Sequence, residues 1–460
     1  MDPRPQHFVD TPAALEQCAQ SVARAARVAL DTESNGFHAY FEKVCLVQLS
    51  TGAEEFAVDT LAVGLGPLLP LLTDPAREVI LHAAEFDVLT LRRDYGLRMG
   101  RIFDTHAAAK VLGVVKVGLG NLLEEQLGVK LVEDEQRSDW GKRPLTASQL
   151  SYAFADVSYL LTLRDTLAAQ LEVQGRTAEA HAEFDRVRVK EPRPRVFDAE
   201  GWQRMKSART LDGRGRAVLR ALFLLRDARS RELDRPPFKV LSDLFMSEVA
   251  RKLPRTEEAL AQIPGTSAQQ LRKLSAAVLA AVAEGLAGPL PARPGAQPQR
   301  GPPWKRNAGQ DPVLEARYEA LRAWRKGRAE ARKVEVQVIA PNAVLLNVAK
   351  AEPADREALA RVDGMDPFRV EQYAEEILSA LRLHAAKATG KGKAREERAA
   401  RGELAESPEG AESGDAAESE GSAEADAAPG EDAPVAAPAP EALAASEAPV
   451  RKGPVQGSLF

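Results

Sequence analysis

The sequence predicts an α/β domain with a mixed sheet, followed by two all-α helical bundles and a disordered acidic tail. Three observations lead there. Short apolar runs alternate with segments of helical period through residues 1–186. Residues 206–288 and 312–385 are helical by period and match one another at a fixed offset of 99. Residues 403–450 hold thirteen Asp or Glu and no Lys or Arg.

At 460 residues the chain exceeds what one core organises, so two to four domains are expected. No apolar run approaches the roughly 20 residues of a membrane span, and no membrane partner is expected. The start, Met1-Asp2-Pro3-Arg4, lacks the basic and apolar regions of a signal peptide. Cys18 and Cys45 are too few for a disulfide framework or a zinc site. Together these predict a cytoplasmic protein with two reduced thiols. Taking the tail's −13 from the whole-chain −5 leaves +8 on the rest. A mildly basic body suits contact with nucleic acid and excludes little else.

The α/β unit opens at Phe8-Val9-Asp10-Thr11, and residues 12–26 have helical period. Strands are expected at residues 28–32, Val44–Ser50 and Glu55–Asp59, the last two joined as a hairpin at Thr51-Gly52. Residues 79–82 form a further strand, and residues 84–95 a helix stopped by Gly96. Asp104 is the expected N-cap of a helix over Thr105–Leu112. Leu119–Leu127 is helical, with Gly128 as its stop. Thr146 and Gln149 make a capping box that starts a helix through Leu150, Phe154, Val157, Leu161 and Leu167. Residues 187–205 are basic and proline-punctuated and are expected to be a linker, as are residues 289–311, which hold six prolines.

Three patches of acid carry chemistry. Asp31 and Glu33 are i and i+2 on a strand, so they share the face opposite Leu30. Two carboxylates at a buried strand end repel each other and are costly to desolvate, and a hard divalent cation offsets both. Two solvated acids at a strand end are the other reading. Tyr152 and Asp156 are i and i+4 and meet on one helix face, where a surface contact is the alternative. Asp87 falls in the first turn of a helix just past a strand end, where open α/β sheets place ligands. His82 and His106 are expected to be ordinary core or surface histidines.

The run Asp31-Thr32-Glu33, the stretch from His82 to Asp87, and Tyr152-Ala153-Phe154-Ala155-Asp156-Val157 resemble the three motifs of the DEDDy 3′–5′ exonucleases. Arg137-Ser138-Asp139-Trp140, with Arg143-Pro144-Leu145-Thr146, resembles the run before the third motif in the ribonuclease D family. Residues 34–41 depart from what aligns with that family, which leaves contacts to a terminal nucleotide unassigned. The resemblance implies a ribonuclease H-like (DnaQ-like) sheet flanked by helices. It implies two Mg²⁺ or Mn²⁺ ions about 4 Å apart, bridged by Asp31 and completed by Glu33, Asp87 and Asp156. Tyr152 would position the attacking water. The implied activity removes nucleoside 5′-monophosphates one at a time from RNA 3′ ends, including tRNA precursors. Arg137, Trp140 and Arg143 are expected to approach substrate through phosphate contact and stacking, with a structural role for Trp140 as the alternative.

Both helical modules resemble the HRDC domain, an accessory nucleic-acid-binding bundle, with Ile263-Pro264-Gly265 and Val362-Asp363-Gly364 at its turn. Arg226, Arg229, Arg231 and Lys239, and in the second copy Arg325, Lys326, Arg328, Arg332 and Lys333, are candidate phosphate-binding faces or merely solvated ones. The two modules are expected to act as separate grips. At the chain's end, Gln456-Gly457-Ser458-Leu459-Phe460 resembles the bacterial sliding-clamp-binding pentapeptide, with Gln456, Leu459 and Phe460 as the contacts and Gly457 as a departure. Two rival functions stay open: a DNA-directed 3′–5′ exonuclease in repair or replication, and a non-catalytic nucleic-acid-binding scaffold.

Overall fold

The computed structural model describes residues 4–131, 135–293 and 311–382. Most of the Pro-rich linker, the whole acidic tail, and Gln456, Leu459 and Phe460 lie outside the described residues.

Among the described residues the α/β domain holds one six-stranded mixed sheet in the order β1-β4-β3-β2-β5-β6. The strands are β1 Gln6–Val9, β2 Arg27–Ser34, β3 Val44–Ser50, β4 Glu55–Asp59, β5 Glu78–Leu81 and β6 Arg101–Asp104. β3 runs antiparallel to both β2 and β4, while β1 lies parallel to β4 and β5 parallel to both β2 and β6. The hairpin turns at Thr51, whose N–H donates to Glu54 O at 3.0 Å, and at Gly52, whose φ of +85° suits a residue without a Cβ. Sequence reasoning assigned no strands to β1 and β6. Each is four residues long and borrows its pairing from a parallel neighbour.

The helices of this domain are α1 Pro12–Arg24, α2 Leu69–Thr73, α3 Glu85–Tyr95, α4 Thr105–Leu112, α5 Leu119–Leu127, α6 Ala147–Ser158, α7 Leu160–Val173 and α8 Thr177–Arg188. Thr146 and Gln149 form the expected capping box at the start of α6. The expected run through Leu161 and Leu167 is instead two helices that break at Tyr159. Ser158 Oγ donates back to Phe154 O at 2.7 Å, a local bond that competes with the helix ladder and bends it. α6 lies across one sheet face, where Ala153 and Phe154 pack on Leu46, Ala57 and Trp140. On the other side Val28, Leu30, Val47 and Leu49 join the main core.

Each bundle has its own core. Trp202, Leu222, Phe245 and Met246 centre the first, and Tyr318, Leu321, Val348 and Ile377 the second. The duplication is written in the backbone. Left-handed φ angles recur at Asp234 and Lys333, at Leu253 and Glu352, and at Gly265 and Gly364, every pair 99 residues apart. Arg226 donates to Leu241 O, and its equivalent Arg325 donates to Ala340 O.

The basic faces do not stand free as separate grips. Arg325 is 3% exposed. Arg226 pairs with Asp243, Arg229 with Glu232 and Arg231 with Asp227. Arg332 reaches out of the second bundle to α8, placing Nη1 2.8 Å and Nη2 2.5 Å from the Glu179 carboxylate. The buried Arg369 likewise pairs with Glu183 of α8. Helical period marks which residues are charged; it cannot show that their partners lie in a distant domain. Arg332→Ala leaves Glu179 buried without its cation, and breaking such a pair typically costs about 3–5 kcal/mol. Urea denaturation is expected to show a loss of that order. A loss too small to measure would mean that the pair does not secure the bundle.

Candidate active site

β2 ends at the mouth of the sheet with its ladder to β3 shifting register between Glu33 and Ser34. Asp31 and Glu33 leave the strand on the α6 side, as the period of two requires. α6 lowers Asp156 onto them. One carboxylate oxygen each from Asp31, Glu33 and Asp156 lie within 4.8 Å of one another. Among the described residues this is the one group of acid, thiol or imidazole side chains so placed.

Asp87 is not one of that trio. It is 4% exposed in the first turn of α3 and accepts a 2.5 Å hydrogen bond from Thr32 Oγ1. Its charge still reaches Asp31 and Glu33. The start of α3 is fixed by Asp104 at the end of β6. Both Asp104 oxygens accept from the chain before α3, from Ala83 N and Ala84 N at 3.0 Å each. The same carboxylate caps α4 through His106 N at 2.9 Å and Ala107 N at 3.2 Å. Ala83 takes a left-handed φ of +54° to make that turn. Sequence reasoning found the α4 cap but not this second duty, nor the Thr32 hydroxyl that ties the first motif to the second.

The electrostatics are those of an overloaded acidic pocket. Burial, then the neighbouring Asp156 charge, holds the Asp31 carboxyl well above the usual carboxylate range. Burial followed by repulsion from Asp31, Asp156 and Asp87 pushes Glu33 up to about 10. Asp87 is raised by burial and by Asp31, against the Thr32 hydrogen bond. Three or four ionised carboxylates cannot share this space without a counter-charge. The donors are all hard oxygens, which fits Mg²⁺ or Mn²⁺ and not a soft-ligand metal. Tyr152 hydrogen-bonds Asp156, and burial plus the surrounding acids raise its pKa, so its hydroxyl keeps its proton. His82 is not part of that group: burial and the adjacent His106 hold its imidazole down at about 3, and its Nδ1 lies 2.9 Å from Thr105 Oγ1.

The three expected substrate contacts separate. Trp140 is 1% exposed and packs between Cys45, Leu46, Ala57 and α6. It is a core residue and offers no face to a base. Arg143 is committed to Asp59, with Nε and Nη2 each 2.6 Å from its carboxylate, and to the carbonyls of Trp140, Lys142 and Cys45. It braces the segment before α6 and has no donor left for a phosphate. Arg137 is exposed and makes no ion pair among the described residues, so it alone of the three stays available.

Residues 35–41, which follow the acidic strand, form a rim that sequence reasoning left unassigned. The first bundle clasps it. Asp234 Oδ1 accepts from Tyr40 N at 3.0 Å and Phe41 N at 2.9 Å, and Tyr40 Oη donates to Asp227 at 2.6 Å. Phe37 and Phe41 remain more than half exposed.

The chain matches the 3′-5′ exonuclease family over residues 6–172 and the HRDC domain family over residues 215–282 and again 315–381. It is 33% identical over 276 residues to ribonuclease D of Xanthomonas oryzae pv. oryzae, across 59% of this chain and 75% of that one. It is 30% identical over 295 residues to the exosome complex component 10 homolog of Drosophila melanogaster, of which the match spans 33%. Among solved structures, Escherichia coli RNase D, described as an exoribonuclease involved in structured RNA processing, superposes with a TM-score of 0.57 at 25% identity. That superposition covers 82% of this chain and 98% of the other.

Proposed function

This chain belongs to the ribonuclease D family, and from that premise we propose that it is a metal-dependent 3′–5′ exoribonuclease that trims structured RNA 3′ ends, tRNA precursors among them. The observation that carries the reading is the convergence of Asp31, Glu33 and Asp156 oxygens within 4.8 Å of one another beneath a protonated Tyr152. Asp31, Glu33 and Asp156 would hold the cations, and the charge of Asp87 reaches Asp31 and Glu33. Bound Mg²⁺ or Mn²⁺ would supply charge to activate water and stabilise the leaving 3′ oxygen.

The protein's own groups do the positioning. Asp31 and Glu33 are held by sheet pairing on a face that α6 closes, which fixes them in a poorly hydrated pocket. The Thr32 hydroxyl pins Asp87. The Tyr152 hydroxyl, its proton directed to Asp156, accepts a hydrogen bond that orients the attacking water, and its raised pKa keeps it protonated. Arg137 is the available cation for a substrate phosphate. The two bundles brace the catalytic domain as well as contributing nucleic-acid contact. No helix among the described residues is long and apolar enough to cross a membrane; the proposed setting is the cytoplasm. A clamp contact through Gln456, Leu459 and Phe460 rests on the pentapeptide alone.

The test is degradation of matched RNA and DNA oligomers with and without Mg²⁺. Stepwise release of nucleoside 5′-monophosphates from RNA, only with metal, is expected. Faster loss of the DNA oligomer would favour a DNA-directed enzyme, and no release at all would favour a binding scaffold. In the same assay Tyr152→Phe is expected to slow release about 10²-fold, the scale of a misplaced reactant.

A further inference from the structure

Gln48 lies in the middle of β3, between Val47 and Leu49, and is completely buried. Neither its Oε1 nor its Nε2 has a hydrogen-bond partner among the described residues. An unpaired buried amide is destabilising, and Leu or Met would fill the same volume without that loss. Around it β3 is otherwise apolar from Val44 to Leu49.

The strand register says where this amide stands. Gln48 is directly opposite Asp31 on β2 and Ala57 on β4. Opposed residues of antiparallel strands leave the same face, with Cβ atoms about 4.5–5.5 Å apart. That is the face on which Ala57 and Leu46 meet Ala153 and Phe154 of α6, the helix that bears Asp156. Gln48 is thus the polar side chain of the sheet beside the acid trio, cut off from solvent.

We propose that Gln48 is a positioning residue for the metal centre: its Nε2–H₂ group donates a hydrogen bond to the Asp31 carboxylate when that carboxylate holds a cation. The inference rests on Asp31 being a cation ligand. A ligating carboxylate keeps lone pairs that face away from the ion, and a donor behind it fixes its orientation. A neutral carboxamide suits this place. Arg or Lys would compete with the cation for Asp31, and Glu would add repulsion to a pocket already crowded with acids.

Thermal unfolding of the full chain across a Mn²⁺ titration tests this, with wild type, Gln48→Leu and Gln48→Met in parallel. Loss of a supporting group behind a metal ligand lowers affinity about 10–100-fold. Both variants should therefore need that much more Mn²⁺ for half of the rise in Tm, while their metal-free Tm is unchanged or higher. If wild type itself gains no stability from Mn²⁺, the metal-centre reading fails. If wild type responds and the variants respond at the same Mn²⁺ concentration, the metal centre stands and the role of Gln48 is overturned. Should both variants fail to fold, the side-chain amide resonances of Gln48 in wild type decide: a downfield shift on adding Mg²⁺ supports the bond, and unmoved resonances overturn it.

Discussion

Asp31→Asn is expected to give a protein that folds, melts higher than wild type in the absence of metal, and releases no measurable mononucleotide. The two effects have one cause. Asp31 shares a buried pocket with Glu33 and Asp156, and burial and mutual repulsion raise the Asp31 and Glu33 carboxyls in the metal-free state. A neutral carboxamide of the same shape removes one charge from that crowd. The same change removes a cation ligand. Metal stabilisation of developing charge amounts to several kcal/mol, and every ~1.4 kcal/mol is tenfold in rate, so turnover should fall by at least about 10³-fold. Asp156→Asn should match it, although it sits on α6 rather than β2, because the pocket needs both elements. Mononucleotide release, RNA binding by gel shift and thermal melting separate the effects. Turnover within tenfold of wild type in either variant, with RNA still bound, would remove these residues from the chemistry.

Metal-free stability should fall as pH rises, the reverse of the usual behaviour of carboxylates. Glu33 is pushed from an ordinary value of 4.5 up to about 10 in the fold. Between those values the folded state binds more protons than the unfolded state, so stability decreases with pH across that window. The contribution is fully present below the unfolded value and lost as pH climbs through the folded one. Cations work in the opposite sense, since they bind only the ionised pocket. At a hundred times its dissociation constant Mn²⁺ adds about 2.7 kcal/mol. Melting curves at about pH 5 and about pH 9 should therefore show a metal-induced rise in Tm at the higher pH and none at the lower. Glu33→Gln should flatten the metal-free slope. A metal-free Tm that climbs with pH over this range would contradict the raised carboxyls and with them the crowded pocket.

Much of the site follows from local rules. The i, i+2 spacing put Asp31 and Glu33 on one face, the Thr146–Gln149 capping box started α6, and the i, i+4 spacing paired Tyr152 with Asp156. Each depends on only a few neighbouring residues. What stayed hidden depends on distant ones. Trp140 and Arg143 carry the same side chains whether they face a substrate or the core, and only the packing of Trp140 on Ala57 and the ion pair of Arg143 with Asp59 decides. The arginines of the bundles read as basic stripes, yet Arg332 is answered by Glu179 in another domain. Gln48 left one local signal, a single carboxamide in an apolar strand, but its meaning required the register with Asp31.

The matched backbone of the two bundles conceals an inversion of sign. The carboxylates that clasp the rim, Asp227 and Asp234, have as their counterparts 99 positions later Lys326 and Lys333. A chimera carrying the second module in the first module's place would bring Lys333 against the Tyr40 and Phe41 amides, donor facing donor, and Lys326 in place of the acceptor of the Tyr40 hydroxyl. The copies are therefore not interchangeable: one shape has been specialised into a latch on Tyr40 and Phe41 and a strut against α8.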